Sequence, residues 1–324
     1  MPNPLHPQLP QAFPHGGAIE AAAQTWHCHS SDILDVSTGL HPIGQPKWLG
    51  AWMQEHADLA ARYPDKKGEP ARSLLANDLG VLPEQVWMIA GAQAAIEIIF
   101  QAMPWQSLAI QVPCYNEPIR CAQRAGCDVL AFERGQAIPQ ADALWWTSPS
   151  NPFGETTSMP DYQQAVLDES YMAFSERRSL GVLSDTIRVG SLTKNFCIPG
   201  LRLGYVVAEE SIIEMLSQWL PPWASSTFVL HLLEKLLPEA DVRDQQVQAS
   251  RLRLEKLFAK HHWQYHPSQA SFILAKPRHG MPDFAQQRIL VRAFPEWPQL
   301  KGWLRFGFPN QEEDWQRLEA ALCP

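Results

Sequence analysis

The chain has 324 residues, of which 45% are hydrophobic and 19% are charged, and its formal net charge is −8. This composition predicts a folded protein with one large core or two domains. The acidic balance argues against nucleic acid or an anionic membrane as the main partner, because either would favour a basic face. The sequence has neither an apolar run of about 20 residues nor the features of a secretory signal, so we expect a cytoplasmic protein that binds a small molecule.

Short β-rich runs alternate with longer helical or loop segments from about residue 85 onward. Such alternation indicates an α/β fold with a mostly parallel sheet and helices on both of its faces. The predicted strands cover residues 86–90, 107–112, 128–133, 143–147, 164–168, 187–192 and 203–208.

The pattern changes after residue 210, where long amphipathic helices precede the strand-like runs "ASFILAK", "RILVRAF" and "WLRFGF" and a last helix. This order indicates a second, smaller α+β domain. We therefore expect a large domain over residues 46–215 and a small domain over residues 216–324. The N-terminal segment, residues 1–45, is expected to pack with the small domain.

Polar residues stand where several of the predicted strands end. "GAQ" follows the first strand, "PCY" the second and "SPSN" the fourth, while "DESY" closes the fifth and "SLTK" the sixth. Because ligands of open parallel sheets bind at the carboxyl ends of the strands, these residues are candidates for one site.

Lys194 lies in "SLTK", at one of these strand ends. An isolated lysine is usually a solvated surface charge, but a lysine in a cleft near other cations can attack a carbonyl and form an imine. The hydroxyls of Ser191 and Thr193, and Arg202 eight residues on, suit a phosphate monoester. A helix start after Ala90 adds a second phosphate contact. A phosphorylated aldehyde of this kind is pyridoxal phosphate.

The other strand ends supply groups that the pyridoxal ring requires. Asp168 could pair with the pyridinium nitrogen. Asn151 and Tyr171 could hydrogen-bond the phenolic oxygen, and Tyr115 could stack on the ring. Taken singly, these residues would be a helix cap, a turn residue before proline and two core aromatics. Their joint placement favours the cofactor site.

Several motifs resemble those of fold-type I pyridoxal phosphate enzymes, the aspartate aminotransferase superfamily. They are "SLTKNFCIPGLRLGY", "SPSNPFG", "DESYMAF" and "RYPD" (62–65). The resemblance implies that Lys194 holds the cofactor covalently and that Tyr63 reaches across a homodimer interface to the partner's cofactor. The implied phosphate ligands are Ser191, Thr193, Arg202 and the amides of Gly91, Ala92 and Gln93.

The N-terminal stretches "PHGGAIEAAAQTW" and "ILDVSTGLHPIG" resemble the opening of the threonine-phosphate decarboxylase family of cobalamin biosynthesis. This resemblance implies that His15, Gly16 and Gly17 lie over a substrate phosphate. The C-terminal stretches "RILVRAF" and "WLRFGF" resemble the family's two substrate-arginine strands, which implies that Arg292 binds the same phosphate and that Arg305 binds the substrate carboxylate. Without that resemblance, the two arginines would be solvated charges on edge strands. The implied reaction converts L-threonine O-3-phosphate to (R)-1-aminopropan-2-yl phosphate. A histidinol-phosphate-type aminotransferase, which would use nearly the same residues, remains the alternative.

Three features depart from the superfamily pattern. His41 stands where asparagine is usual, Cys197 stands where a small residue is common, and the 17-residue step from Asn151 to Asp168 is short. A parallel crossover needs a dozen or more residues, so the usual covering helix is expected to be reduced to a turn or missing.

Other site classes fit the sequence less well. "SLTK" matches the S-x-x-K signature of serine acyl enzymes, but the S-D-N and K-T-G tripeptides that such enzymes need are missing. A non-catalytic binding module would have no need of the lysine, aspartate and arginine set. The six cysteines form no C-x-x-C pair and are expected to be reduced, and "WHCHS" (26–30) has no neighbouring ligands that would complete a metal site.

Overall fold

A computed structural model describes Leu9, residues 14–175 and residues 181–323 of the chain, so most of the proline-rich start lies outside the described residues. The α-helices are α1 (Ile19–Trp26), α2 (Leu49–Glu55), α3 (Ala71–Leu79), α4 (Ala92–Ala102), α5 (Glu117–Arg124), α6 (Leu192–Asn195), α7 (Glu210–Ser217), α8 (Thr227–Leu236), α9 (Ala240–Lys260) and α10 (Glu312–Leu322). The strands are β1 (Leu34–Asp35), β2 (Val86–Ile89), β3 (Ser107–Val112), β4 (Asp128–Glu133), β5 (Ala143–Thr147), β6 (Ala165–Asp168), β7 (Thr186–Ser191), β8 (Gly204–Val207), β9 (Gln264–Tyr265), β10 (Phe272–Lys276), β11 (Ile289–Leu290), β12 (Arg292–Ala293) and β13 (Leu304–Gly307). None of the described helices is long and apolar enough to cross a membrane.

A seven-stranded sheet forms the centre of the fold, with the strand order β2-β8-β7-β6-β5-β3-β4. Only β8 runs antiparallel to its neighbours. All seven strands were predicted from the sequence to within one residue at each end, and the α/β class is confirmed. The residues of β6, β7 and β8 are all buried, as expected for strands covered on both faces.

Helices cover both faces of this sheet. On one face, Ile99 of α4 belongs to a buried cluster with Ile110 and Val206. On the other face, Val207 packs in a cluster with residues of α3 and α8. The alternation of neighbouring strand residues between the faces explains this division. Because α8 packs here, part of the segment assigned to the small domain contacts the large sheet, and the domain bounds stay a prediction.

A four-stranded sheet, β12-β13-β10-β9, lies in the C-terminal part of the chain. The stretch "RILVRAF" was predicted as one strand, and this prediction is wrong: the chain leaves the strand conformation at Val291. β11 pairs with β1, whereas β12 pairs with β13. The pairing of β1 with β11 ties the N-terminal segment to the C-terminal part of the chain.

The crossover from β5 to β6 contains no helix among its described residues, as the short step predicts. Met159 and Tyr162 of this crossover instead pack beside Phe132 and Leu144 on the sheet. Tyr162 Oη donates a hydrogen bond to Pro139 O at 2.8 Å. Asp168 keeps its place because β6 pairs with both β5 and β7 in full register.

Candidate active site

A cavity of about 300 Å³ opens at the carboxyl edge of the central sheet. Most of the side chains predicted for the site line it: His15, Gly16, Ala92, Gln93, Tyr115, Asn151, Asp168, Tyr171, Ser191, Thr193, Lys194, Arg202, Arg292 and Arg305. Gly17 adjoins this wall and Gly91 adjoins Arg202. Tyr63 does not line the cavity; it is 79% exposed and contacts Trp223, with ring centroids 4.5 Å apart.

Lys194 lies on the short helix α6, directly after β7. Its Nζ is 4.7 Å from the centroid of the Tyr171 ring, and its carbonyl accepts a hydrogen bond from His41 N at 3.1 Å. Asp168 ends β6 and is 4% exposed, with Ser170 N donating to its Oδ1 at 2.9 Å. The strand ladder therefore brings an amine and a buried carboxylate into one cavity.

Hydrogen-bond donors form a cradle at the start of α4. Ser191 Oγ and Thr193 Oγ1 lie 2.8 Å apart, and Arg202 precedes β8, whose antiparallel direction brings it to this edge of the sheet. A Cβ on Gly91 would lie 2.5 Å from Arg202 Nη2, so a side chain there would displace the guanidinium from its position beside the helix start. Hydroxyls, a guanidinium and helix N-terminal amides together fit a phosphate monoester.

The Gly91 amide does not have the predicted role in this cradle. Gly91 N–H donates to Ile89 O at 2.7 Å, so it is already satisfied. The amides of Ala92 and Gln93 stand in the first turn of α4, where no carbonyl of the same helix can accept from them. These two remain the predicted backbone donors, and Gly91 contributes space instead.

Tyr115 and Gln93 hold one another at the wall of the cavity. Tyr115 Oη donates to Gln93 Oε1 at 3.1 Å. Burial, reinforced by the carboxylate of Glu117, raises the pKa of Tyr115 above its usual value, so the side chain stays a neutral phenol. Its predicted stacking on the cofactor ring stays a prediction.

The "HGG" segment reaches the cavity by packing on Ser37. A Cβ on Gly16 would lie 2.5 Å from Ser37 O, and Gly17 N donates to Ser37 Oγ at 2.7 Å. His15, the residue before Gly16, also lines the cavity, and its Nε2 lies 2.9 Å from Glu117 Oε1. A side chain at position 16 would therefore clash with the Ser37 backbone and prevent the segment from packing there.

Arg292 and Arg305 are direct partners across β12 and β13 and are only 9% and 6% exposed. Arg292 pairs with Glu296 and donates to Pro14 O at 2.8 Å. Burial lowers the pKa of Arg292 below its usual value; Glu296 opposes this shift, whereas Arg305 adds to it. Two like charges in register destabilise a sheet unless anions compensate them.

Arg305 donates through Nη1 to Asn151 Oδ1 and through Nη2 to Ser37 O, each at 2.7 Å. Its buried Nε meets no acceptor in the part of the chain that the structure describes. The arginine is thus fixed by Asn151, an interaction that the sequence did not suggest. The amide nitrogen of Asn151 is left for the predicted contact with the cofactor.

The two unusual residues His41 and Cys197 contact each other. Cys197 Sγ donates to His41 O at 3.0 Å, and His41 Nε2 donates to Arg243 O at 2.9 Å. Arg243 Nε in turn donates to Asn195 O at 2.8 Å, directly after Lys194. His41 and Cys197 therefore belong to one hydrogen-bonded cluster next to Lys194.

Two acidic residues near the cavity were missed by the sequence analysis. Glu117 contacts His15, and Glu296 contacts Arg292. Glu117 stands two residues after Tyr115 in "CYNEP", where an acid at a helix start is ordinary, so the pattern gave no specific signal.

Metal-ligand geometry is found for only one group of the described residues: Glu97, Glu117 and Cys121. Both of its carboxylates already pair with Arg120. All six cysteines are free thiols.

Comparison with known proteins gives consistent matches over most of the chain. The model of the family "Aminotransferase class I and II" matches residues 33–318. The threonine-phosphate decarboxylase of Pseudomonas aeruginosa is 30% identical, with 95% of this chain and 96% of that protein aligned.

Two solved structures share the fold. The L-threonine-O-3-phosphate decarboxylase of Porphyromonas gingivalis has a TM-score of 0.77 at 22% identity, over 90% of this chain and 98% of that one. The histidinol-phosphate aminotransferase of Sinorhizobium meliloti in complex with pyridoxal-5'-phosphate has a TM-score of 0.82 at 16% identity, over 96% and 95%.

Proposed function

Because the chain belongs to the aminotransferase class I and II family, we propose that it is a pyridoxal phosphate enzyme that decarboxylates L-threonine O-3-phosphate to (R)-1-aminopropan-2-yl phosphate. The relative from Pseudomonas aeruginosa, which aligns over 95% of this chain, supports the reaction. The product amine would be the aminopropanol unit of the cobalamin side chain, so the proposal includes a role in cobalamin biosynthesis.

The observation that carries this proposal is the pair of buried arginines, Arg292 and Arg305, on neighbouring strands at one cavity. Glu296 compensates Arg292, whereas Arg305 has no acidic partner among the described residues, so the pair favours a ligand that brings an anionic group to Arg305. L-threonine O-3-phosphate has a carboxylate and a phosphate. Histidinol phosphate has a phosphate but no carboxylate, so as the amino donor it would leave Arg305 without an anion.

The residues at the sheet edge fit pyridoxal phosphate. The cradle of Ser191, Thr193 and Arg202 suits its phosphate, Asp168 suits its ring nitrogen, and Lys194 suits its aldehyde. When bound, the cofactor supplies a carbonyl that condenses with amines and a ring that accepts the electron pair released at Cα.

The side chains of the cavity have separate roles in the proposed reaction. Arg305 binds the substrate carboxylate and thereby orients the bond that breaks, while Arg292 and His15 bind the remote phosphate. Lys194 Nζ would hold a proton and deliver it to Cα in place of the carboxylate that is lost as carbon dioxide. The Tyr171 ring beside Nζ keeps water from this face of the lysine.

The alternative is an aminotransferase acting on a histidinol-phosphate-type substrate. Lys194 would then remove a proton from Cα, using the same side chains and the same cofactor. The two reactions differ in which bond at Cα is oriented for cleavage.

Release of carbon dioxide separates the two functions. The purified holoenzyme, given L-threonine O-3-phosphate, should release carbon dioxide without any keto acid. In Lys194→Ala the rate should fall by about 10²–10⁴-fold, the usual contribution of a positioned acid or base. Amino transfer to a keto acid with histidinol phosphate, without carbon dioxide release from threonine phosphate, would sink the proposed reaction.

The proposal includes a cytoplasmic homodimer in which Tyr63 reaches the partner's cofactor. The exposed Tyr63 ring and its contact with Trp223 support this arrangement, because large aromatic side chains at the surface are typical of interfaces.

A further inference from the structure

We propose that Glu117 is a positioning residue that holds His15 for the remote phosphate of the substrate and ties it to the cofactor's phosphate cradle. The inference rests on the proposed function, which assigns His15 to that phosphate. It concerns a residue that does not itself line the cavity but contacts two residues that do.

Glu117 begins α5 and is 3% exposed. One of its oxygens, Oε1, lies 2.9 Å from His15 Nε2. The other, Oε2, accepts from Gln93 Nε2 and from Arg120 Nε, each at 2.7 Å. Arg120, which Glu117 shares with Glu97, already forms an ion pair with this carboxylate, and the contacts with His15 and Gln93 are additional to that pair.

The chemistry of the pair fixes the orientation of the imidazole. A carboxylate can only accept hydrogen bonds, so His15 Nε2 carries a proton and donates it. The ring therefore keeps Nδ1 for a ligand. In the proposed function this ligand is the substrate phosphate, so the two ring nitrogens would face anions on opposite sides, Glu117 and the phosphate.

The same carboxylate reaches the cofactor side of the cavity. Gln93 donates its amide N–H to Glu117 and accepts from Tyr115 Oη at 3.1 Å with the other end of the amide. The side chain of Gln93 is thereby occupied, which leaves its backbone N–H to the phosphate cradle. Glu117 thus connects the "HGG" segment with the start of α4.

Asn116, the residue before Glu117, helps to position Arg292 through Glu296. Asn116 Nδ2 donates to Glu296 Oε1 at 3.1 Å, and Trp297 Nε1 donates to Asn116 Oδ1 at 3.0 Å. Glu296 pairs with Arg292, which donates to Pro14 O beside His15. The start of α5 therefore positions both residues that are proposed to bind the remote phosphate.

The test compares two amines that differ only in the phosphate: (R)-1-aminopropan-2-yl phosphate and 1-aminopropan-2-ol. Calorimetric titration of the holoenzyme gives the affinity for each without turnover. Glu117→Gln should weaken binding of the phosphorylated amine about tenfold, the loss expected when a charge-assisted hydrogen bond becomes neutral. Binding of the phosphate-free amine should stay within about twofold.

The matched control is Glu97→Gln, because Glu97 pairs with Arg120 in the same cluster and also contacts Arg124. It should bind both amines as the wild type does. In a His15→Ala background, Glu117→Gln should cause no further loss, since the contact through which it acts is gone. An equal loss for both amines, or a full tenfold loss in the His15→Ala background, would overturn the inference.

Two further outcomes keep the test decisive. If Glu117→Gln does not fold, Glu117→Asp, which keeps the negative charge but withdraws it from His15, probes the same contact. Loss of selectivity for the phosphorylated amine at an unchanged melting temperature supports the inference, and unchanged selectivity overturns it. A wild-type enzyme that prefers the phosphorylated amine but releases no carbon dioxide would refute the proposed decarboxylation and leave the role of Glu117 standing.

Discussion

At the residue scale, Arg292 and Arg305 occupy equivalent positions on paired strands but have different partners. Arg292 is compensated by Glu296, whereas Arg305 meets the neutral acceptors of Asn151 and Ser37. Arg305 is therefore the arginine whose charge depends most on a bound anion.

Substituting each arginine in turn should show which of them binds the substrate carboxylate and which binds the phosphate. Arg305→Met should weaken L-threonine O-3-phosphate about tenfold or more but leave (R)-1-aminopropan-2-yl phosphate, which has no carboxylate, unchanged. Arg292→Met should weaken both ligands. Inhibition constants of the product and KM values of the substrate measure the two effects, and a pattern with the roles exchanged would reverse the assignment.

His41 gives the protein a pH-dependent stability. Burial, and next the Arg243 cation, lower its pKa from 6.5 to about 3. Between these values the unfolded state binds the additional proton, so stability is present above about pH 6.5 and falls as the pH falls. The expected loss is about 2 kcal/mol between pH 7 and pH 5.

Urea denaturation at these two pH values measures this loss. His41→Asn, which introduces the residue usual in the family, should remove that part of the pH dependence. If the variant and the wild type lose the same stability on acidification, the dependence has another source.

At the element scale, the approach of Arg202 to the start of α4 depends on Gly91. The backbone there has φ +85°, and a Cβ would meet the guanidinium at 2.5 Å. Gly91→Ala should therefore lower affinity for pyridoxal phosphate about tenfold or more, because the cradle loses its charged donor.

Gly80→Ala is the control, since Gly80 also has positive φ, +65°, but a Cβ there meets nothing within 4 Å. It should lower the melting temperature through backbone strain and leave cofactor affinity unchanged. Absorbance titration with the cofactor checks both variants. Equal losses of cofactor affinity would show that strain, rather than Arg202, is responsible.

The elements also show what the sequence could and could not predict. The strands of the central sheet were predictable because each is a short β-rich run between longer helical or loop segments, and their polar ends located Lys194 and Asp168. The family and its cofactor, predicted from motif order, are confirmed. By contrast, hydrophobic pattern could not show that the chain changes sheets at Val291, because both halves of "RILVRAF" are strand-like.

Contacts between segments far apart in the chain could not be predicted from the sequence for a different reason. Glu117 meets His15 across 102 positions, and Arg292 faces Arg305 only because β12 pairs with β13 in one register. Such pairs depend on topology and register, which composition and local spacing do not determine.

At the scale of the whole molecule, the exposed aromatic patch formed by Tyr63 and Trp223 should lie in the proposed homodimer interface. Sedimentation should give twice the chain mass. Trp223→Glu should shift the protein toward the monomer and weaken cofactor binding, because it removes apolar contact and separates Tyr63 from the partner's site.

Met281→Glu serves as the control for this prediction, since Met281 is 50% exposed and lies outside the patch. It should leave the oligomeric state unchanged. A protein that sediments as a monomer with full cofactor affinity would exclude the crossing of Tyr63.

The helix-free crossover between β5 and β6 has a consequence for how the protein can change. Asp168 is held in register by its strand partners on both sides, Thr147 and Val189. Its position therefore does not depend on the length of the crossover. Lengthening a loop costs little, as each doubling adds only about 0.6 kcal/mol of closure entropy. Residues can therefore be added here during evolution or engineering while the cofactor's carboxylate partner stays in register.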